Sequence, residues 1–293
     1  MTTAADAGSG KTHRDENFPV ASRLIAPRHR APILAFFGFV RVADDVADHP
    51  TLAAPDKLAL IDRLEATLLG RDDAESAGVR LRAALAERGL SPRHAQDLLT
   101  AFRLDVTKRR YRDWEDLLGY CAYSAMPVGR FVLDVHGEDR GTWAANDALC
   151  AALQIINHVQ DCALDYRRLD RVYIPLDVLE REHESVAALG QSRASPGLRR
   201  AMDHLAERTA AMLTEAGPLS SKVVNLRLGL EVAVIERLAH TLIGTLRRRD
   251  PLCERVHLSK ARVAGVTLVG VAEELGRRAR RSRRVAIHKA QDA

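Results

Sequence analysis

The chain has 293 residues, a net charge of +5, 46% hydrophobic residues and only 4% aromatic ones. That length holds one large domain or two small ones, and a core so poor in aromatic rings must be built from Ala, Leu and Val. Ala and Leu are strong helix formers, so the composition favours an all-α protein over a sheet protein. The modest charge is unevenly placed, and nucleic-acid binding is the weaker option because no zinc-finger spacing appears and no aromatic residues interleave with the C-terminal arginines.

Residues 1–14 are polar and rich in Gly, Ala and Thr, the composition of a disordered N-terminal segment. From Asn17 onward helical signals dominate. Pro32 suits the first turn of a helix that runs through Phe36, Phe37, Phe39 and Val40 to an acidic cluster, Asp44-Asp45-Val46-Ala47-Asp48. Leu58, Ile61, Leu64 and Leu68 repeat with a helical period, as do Leu81, Ala84, Leu85 and Arg88. Ser91-Pro92 and Ser195-Pro196 read as helix N-caps followed by Pro at the first helical position. One long helix is expected from about Trp143 to Tyr166 and another from about Ser220 to Arg249, with Glu182 to Gly197 as a loop. The apolar stretch Val263 to Val271 is too short to span a bilayer, which takes about 20 residues, and reads as part of a core helix. The expected organisation is a single all-α domain over 15–276 and a basic tail over 277–293, whose Arg277-Arg278-Ala279-Arg280-Arg281-Ser282-Arg283-Arg284 run is either solvated or drawn to anionic lipid.

Four cysteines occur without a C-x-x-C pair and no secretory signal is present, so a reduced, cytoplasmic setting is expected, with peripheral attachment at the inner face of the membrane if the arginines meet lipid. Cys162 is expected to pack rather than react. No pair of histidines has H-E-x-x-H spacing and no P-loop, G-x-S-x-G or nicotinamide-binding glycine pattern appears. Chemistry is concentrated instead in two acidic patterns. Asp44 and Asp48 stand four apart, as do Asp161 and Asp165; on a helix such residues share a face, with Cβ atoms roughly 5–6 Å apart. Carboxylates aimed together from an apolar helix repel one another and resist burial. A bound cation relieves both costs, and two such pairs point to a cage for a hard divalent metal and hence to a diphosphate. Mg2+ combines one or two carboxylates with substrate phosphates. Asn157 extends the second pair into a stripe at i, i+4 and i+8; Gln154 sits three residues before it and Gln160 beside it. Arg41 precedes Asp44 by three, where its planar fork can clamp a phosphate, whereas Asp45 is rotated by about 100°. Arg167, Arg168 and Arg171 follow the second pair toward an outer phosphate, and Tyr173 can line a mixed pocket.

Together these residues resemble the squalene/phytoene synthase family of head-to-head prenyl transferases from about Asn17 to Lys260. The matching parts are Arg41-x-x-Asp44-Asp45-x-x-Asp48, the block from Tyr120-Cys121 to Val128-Gly129, Gln154-x-x-Asn157-x-x-Gln160-Asp161-x-x-x-Asp165, Asp170-Arg171-Val172-Tyr173-Ile174-Pro175, and Glu254-Arg255-Val256. The resemblance implies a helical bundle of isoprenoid-synthase type around a central cavity, with the two acidic helices facing each other. It implies that Asp44, Asp48, Asn157, Asp161 and Asp165 hold more than one Mg2+ ion and the diphosphate, the four carboxylates being catalytic. Substrate contacts fall on Asn17, Phe18, Arg41, Tyr120, Gln154, Gln160, Arg171 and Tyr173. Within the family, Glu16-Asn17-Phe18-Pro19-Val20 and Ser124-Ala125-Met126-Pro127-Val128-Gly129-Arg130 look like the bacterial hydroxysqualene synthases of the hopanoid pathway, with Met126 where relatives carry Asn. That similarity implies presqualene diphosphate as substrate, hydroxysqualene and diphosphate as products, and water rather than NADPH as the co-reactant. Rival expectations are a presqualene diphosphate or phytoene synthase with the same acidic helices, a non-catalytic scaffold of this fold, and a basic nucleic-acid-binding bundle. The oligomeric state is not legible.

Overall fold

The structure, a computed structural model, describes residues 3–4 and 25–291; side chains of the last helix are described to Arg281 and at Arg283. The expected disordered segment over 1–14, apart from Thr3 and Ala4, and the expected substrate contacts Asn17 and Phe18 thus lie outside the described residues. Twelve α-helices occur among the described residues: α1 (Pro27–Ala47), α2 (Ala54–Leu68), α3 (Ser76–Arg88), α4 (Arg93–Thr107), α5 (Trp114–Ser124), α6 (Met126–His136), α7 (Trp143–Gln160), α8 (Cys162–Leu169), α9 (Leu176–Arg181), α10 (Pro196–Ala216), α11 (Leu226–Leu246) and α12 (Lys260–Gln291). The all-α expectation holds.

Several boundaries differ from the sequence reading for identifiable reasons. Helix α1 starts with Pro27, not Pro32, which lies inside the helix. A proline there leaves the carbonyl four residues back without its usual N–H; that carbonyl, on Arg28, accepts from the Arg88 guanidinium of α3 instead. The helix expected over 143–166 breaks at Asp161, whose φ of −102° and ψ of 8° end α7 and begin α8. Ser195 caps α10 as expected, its Oγ accepting from the Leu198 N–H at 3.0 Å. Ser91 does the same one residue early, accepting from the Arg93 N–H at 3.2 Å. The helix expected over 220–249 is shorter, because Asn225 caps α11 by accepting from the Leu228 N–H at 3.1 Å. Within the expected loop over 182–197, Val186–Gly190 forms a short 3-10 turn.

Two apolar cores form. One gathers α1 to α4 and the outer side of α6 around Phe36, Phe39, Leu64, Leu81 and Phe131. The other gathers α5, α7, α10 and α11 around Tyr120, Ile155, Leu205 and Leu242. Helices α6 and α7 approach closely at Gly129, where an added Cβ would lie 2.0 Å from Asn146 Oδ1 and 2.6 Å from Cys150 Sγ. Overpacking of this kind costs about 1–3 kcal/mol, so Gly129→Ala is expected to lower the melting midpoint in thermal unfolding followed by circular dichroism. An unchanged midpoint would show that α6 and α7 separate freely there.

Helix α12 crosses the boundary expected at 276/277 without interruption. Nor is Val263 to Val271 a core segment: Val263, Leu268 and Val269 are exposed. Several arginines of the expected tail turn inward. Arg278 bonds Glu274 Oε1 at 2.7 Å and the Val223 carbonyl at 2.8 Å, and Arg277 reaches Ser221 Oγ at 3.2 Å.

Candidate active site

A cavity of about 400 Å³ lies where the two cores meet. Phe36 and Val40 of α1, Leu98 and Phe102 of α4, Val132 of α6 and Leu153 of α7 give it apolar walls. Its polar lining includes Arg41, Asp44, Asp105, Tyr120, Gln154 and Asn157. Long apolar walls with a few polar groups suit a ligand with a hydrocarbon body and a charged head.

The first acidic pair sits at the end of α1. Arg41 Nη1 lies 3.1 Å from Asp44 Oδ2 and 3.8 Å from Asp45 Oδ1, so Asp45, though buried, remains within the arginine's reach. Burial and then the Asp48 carboxylate push the Asp44 carboxyl up to about 7, against the opposing pull of Arg41. Asp48, the C-cap, accepts from Arg171 Nη1 at 2.6 Å.

The second acidic pair straddles the helix break. The Asp161 N–H bonds the Asn157 carbonyl and the Asp165 N–H bonds the Asp161 carbonyl, both at 2.9 Å, so helical succession carries across the interruption. Gln154 and Asn157 line the cavity, and Asp161 and Asp165 continue the stripe beyond it. Burial, then the neighbouring Asp165, raises the pKa of Asp161. His158 joins this column: its Nε2 is 3.1 Å from Gln154 Nε2 and its Nδ1 is 3.8 Å from Asp165 Oδ2.

A chain of contacts ties the two acidic sets together. Asp170 ends α8 in the left-handed conformation, at a φ of 52° that Asp tolerates better than most residues. The turn delivers Arg171 to Asp48, while Arg171 Nε donates to the Asp105 carbonyl at 3.0 Å. Arg171 is buried, which opposes its charge, but the Asp105 and Asp48 carboxylates outweigh that effect and keep it protonated. The Asp105 carboxylate accepts from the Tyr120 hydroxyl at 3.0 Å and from the Tyr173 hydroxyl at 3.2 Å. The Tyr173 ring stacks on His158 at 3.4 Å between centroids, 12° from parallel. Burial first, moderated by Arg171, pushes the Asp105 carboxyl up to about 6.

Two expected contacts have other employment. Gln160 does not line the cavity; its Nε2 donates to the Val256 carbonyl. Arg167 turns onto the 3-10 turn, bonding the Gln191 carbonyl at 2.8 Å. Met126 opens α6, where its carbonyl accepts from Asn146 Nδ2 at 3.2 Å. Cys162 packs in the larger core with its thiol pushed up to about 12 by burial, too high for a thiolate nucleophile.

Sequence reasoning missed Asp105, His158 and Lys57. Asp105 carried a signal: it falls three residues after Phe102 and four after Ala101, on the buried stripe of α4. Lys57 carried none, because it acquires meaning only through Ala47, whose carbonyl accepts from Lys57 Nζ at 2.9 Å beside Asp48.

Among the described residues no three His, Cys, Asp or Glu side chains already converge as a metal cage. The donors nevertheless suit a Mg2+ ion that completes its shell with phosphate oxygens, since each acidic pair supplies the one or two carboxylates such an ion takes. Burial and a neighbouring carboxylate raise Asp44 and Asp161 despite nearby cationic groups, and a bound cation would offset both effects.

The family profile described as squalene/phytoene synthase matches residues 11–262. The chain is 55% identical over 278 residues to a hydroxysqualene synthase of Rhodopseudomonas palustris, covering 95% of each protein. It is 51% identical over 279 residues to one of Sinorhizobium fredii, covering 95% of this chain and 96% of the relative. A crystal structure of squalene synthase HpnC from Alicyclobacillus acidocaldarius superposes with a TM-score of 0.69 at 31% identity, covering 78% of this chain and 87% of that one.

Proposed function

The chain belongs to the squalene/phytoene synthase family, and from that premise we propose that it is a hydroxysqualene synthase acting on presqualene diphosphate. The near-full-length identity to hydroxysqualene synthases carries the choice within the family, since phytoene synthases are distant relatives. The acidic patterns alone do not discriminate, for they would serve any prenyl diphosphate.

In the proposed reaction the carbon–oxygen bond of the diphosphate ester breaks, and its electron pair leaves with diphosphate. The cyclopropylcarbinyl cation rearranges, a water molecule adds to it, and one proton is released, giving hydroxysqualene. Mg2+, held by Asp44 and Asp48 and by Asn157, Asp161 and Asp165, would neutralise charge on the departing group. Arg41 and Arg171 bring fixed positive charge to the same end. Phe36, Val40, Phe102 and Leu153 surround the hydrocarbon and limit the water that reaches the cation. Tyr120 lines the cavity, and we assign it to orienting the substrate at the boundary between apolar wall and charged mouth, with Asp105 and Tyr173 holding it in place. Asn17 and Phe18 are proposed substrate contacts on the sequence resemblance alone. No hydride donor enters the scheme.

Purified protein given presqualene diphosphate and Mg2+ without reductant is expected to release hydroxysqualene and diphosphate, detected by mass spectrometry and a diphosphate assay. Turnover of farnesyl diphosphate alone would assign the protein to the condensing branch of the family, and no turnover of either would favour a scaffold. The proposed setting is the cytoplasm, with peripheral contact at the inner face of the membrane. Among the described residues no helix is long and apolar enough to cross a bilayer.

A further inference from the structure

Helix α12 has a surface that the reaction does not use. The family profile matches residues up to 262, so nearly all of this helix lies beyond the profile. It is nevertheless firmly seated. Gly270 is buried against α11, where an added Cβ would meet the Ala233 carbonyl oxygen at 3.2 Å. Glu274, 1% exposed, pairs with Arg277 at 3.1 Å and with Arg278 at 2.7 Å.

At about 100° per residue, Gly270 and Glu274 mark the inward side of α12. The opposite side carries no charged residue from Ala261 to Ala279. It presents Leu268, 72% exposed, together with Val269 and Leu275 at 42% and 47%. A single exposed Leu needs no explanation, but a continuous apolar stripe about 27 Å long marks a docking face. Its edges and ends are basic: Lys260, Arg262, Arg280 and Arg283 are all exposed. The acid on that flank, Glu273, is taken by Arg237 at 2.8 Å.

We propose that this face seats the protein on an anionic lipid bilayer, with α12 lying in the interface. Leu268, Val269 and Leu275 enter the acyl boundary and the flanking Lys and Arg meet the headgroups. Charge decides between this occupant and a second copy of the chain. Self-pairing in either direction sets basic ends against basic ends, whereas an anionic surface complements them. The inference rests on the proposed function in one respect, that substrate and product are long hydrocarbons that reside in bilayers. It also relocates the lipid contact expected from the Arg277–Arg284 run. Arg277 and Arg278 hold α12 to the bundle, and Arg262 and Arg280 become the headgroup contacts.

Flotation of the full-length protein with vesicles of phosphatidylcholine, alone or mixed with phosphatidylglycerol, tests this. The wild-type protein is expected to float with the anionic vesicles. The double variant Leu268→Glu/Leu275→Glu is expected to lose about tenfold in partitioning, and Arg262→Gln or Arg280→Gln about fivefold each at low salt. Turnover of presqualene diphosphate in detergent micelles and the helical CD spectrum should stay at wild-type levels in all of them. Failure of the wild-type protein to float, or unchanged flotation of the double variant, overturns the proposal. So does a dimer, seen by light scattering, that the double variant dissolves without changing flotation. Because micellar turnover is read separately, failure of the reaction and failure of the lipid seat give different results.

Discussion

Replacing Asp44 with Asn is expected to lower turnover by about 10³-fold while making the ligand-free protein more stable at pH 8. The loss follows from removing a carboxylate that faces the cavity beside Arg41 and is proposed to hold metal. The gain follows from the raised carboxyl, which burial and Asp48 push from 3.8 to about 7. A carboxyl whose folded-state pKa is raised is most favourable below its unfolded value, and that contribution is lost as pH rises through the folded one. In the wild-type protein the full cost of a charged Asp44 is therefore felt only above about pH 7. The amide of the variant never ionises, so the stability difference should be small at pH 4 and widen toward pH 8. Thermal unfolding across that range checks it. A variant less stable than wild type at pH 8 would show that the Arg41 contact outweighs the repulsion. Mg2+ with diphosphate should stabilise the wild-type protein more at pH 8 than at pH 5, because metal binding needs the ionised form. Asp161→Asn should behave alike, since burial and Asp165 raise that carboxyl in the same direction.

Arg171→Ala is expected to cost both stability and turnover. The guanidinium joins Asp48 to the Asp105 carbonyl across two core regions and is itself buried. Removing one partner of a fully buried pair costs about 3–5 kcal/mol. Asp48 is 40% exposed and can recover water, so about 2–3 kcal/mol is expected here. Urea unfolding measures it. Arg171→Lys should restore part of the stability but little of the turnover, because an ammonium cannot span both partners as the planar fork does. If the lysine variant were fully active, Arg171 would act only as a local charge.

The sequence revealed the chemistry of the site more readily than its wiring. Asp44 and Asp48, and Asn157 with its two following carboxylates, were legible because helical spacing alone puts them on shared faces. The break at Asp161 was not, because Ala- and Leu-rich stretches on either side favour continuous helix. Pro32 and Pro27 both suit a helix start, and the contact that goes with Pro32 inside α1, the Arg88 guanidinium on the carbonyl that Pro32 cannot serve, comes from far along the sequence. Asp105 and Lys57 gain meaning only from distant partners. The basic run was legible as charge but not as a helix face: spacing turns Arg277 and Arg278 toward the bundle and Arg280 toward solvent.

The Asp48–Arg171 contact also bears on how the molecule is made. Its two residues lie 123 positions apart. Closing so long a loop must be compensated before its contacts reward it. Helices α1 to α4, whose core contacts are far more local, can therefore mature before this link closes. A contact absent from the folding transition state acts mainly on unfolding when it is removed. The mouth of the active site is thus expected to be completed late, with Arg171 as its latch: without it the chain should collapse at nearly the normal rate but come apart sooner, as chevron kinetics of Arg171→Ala would show.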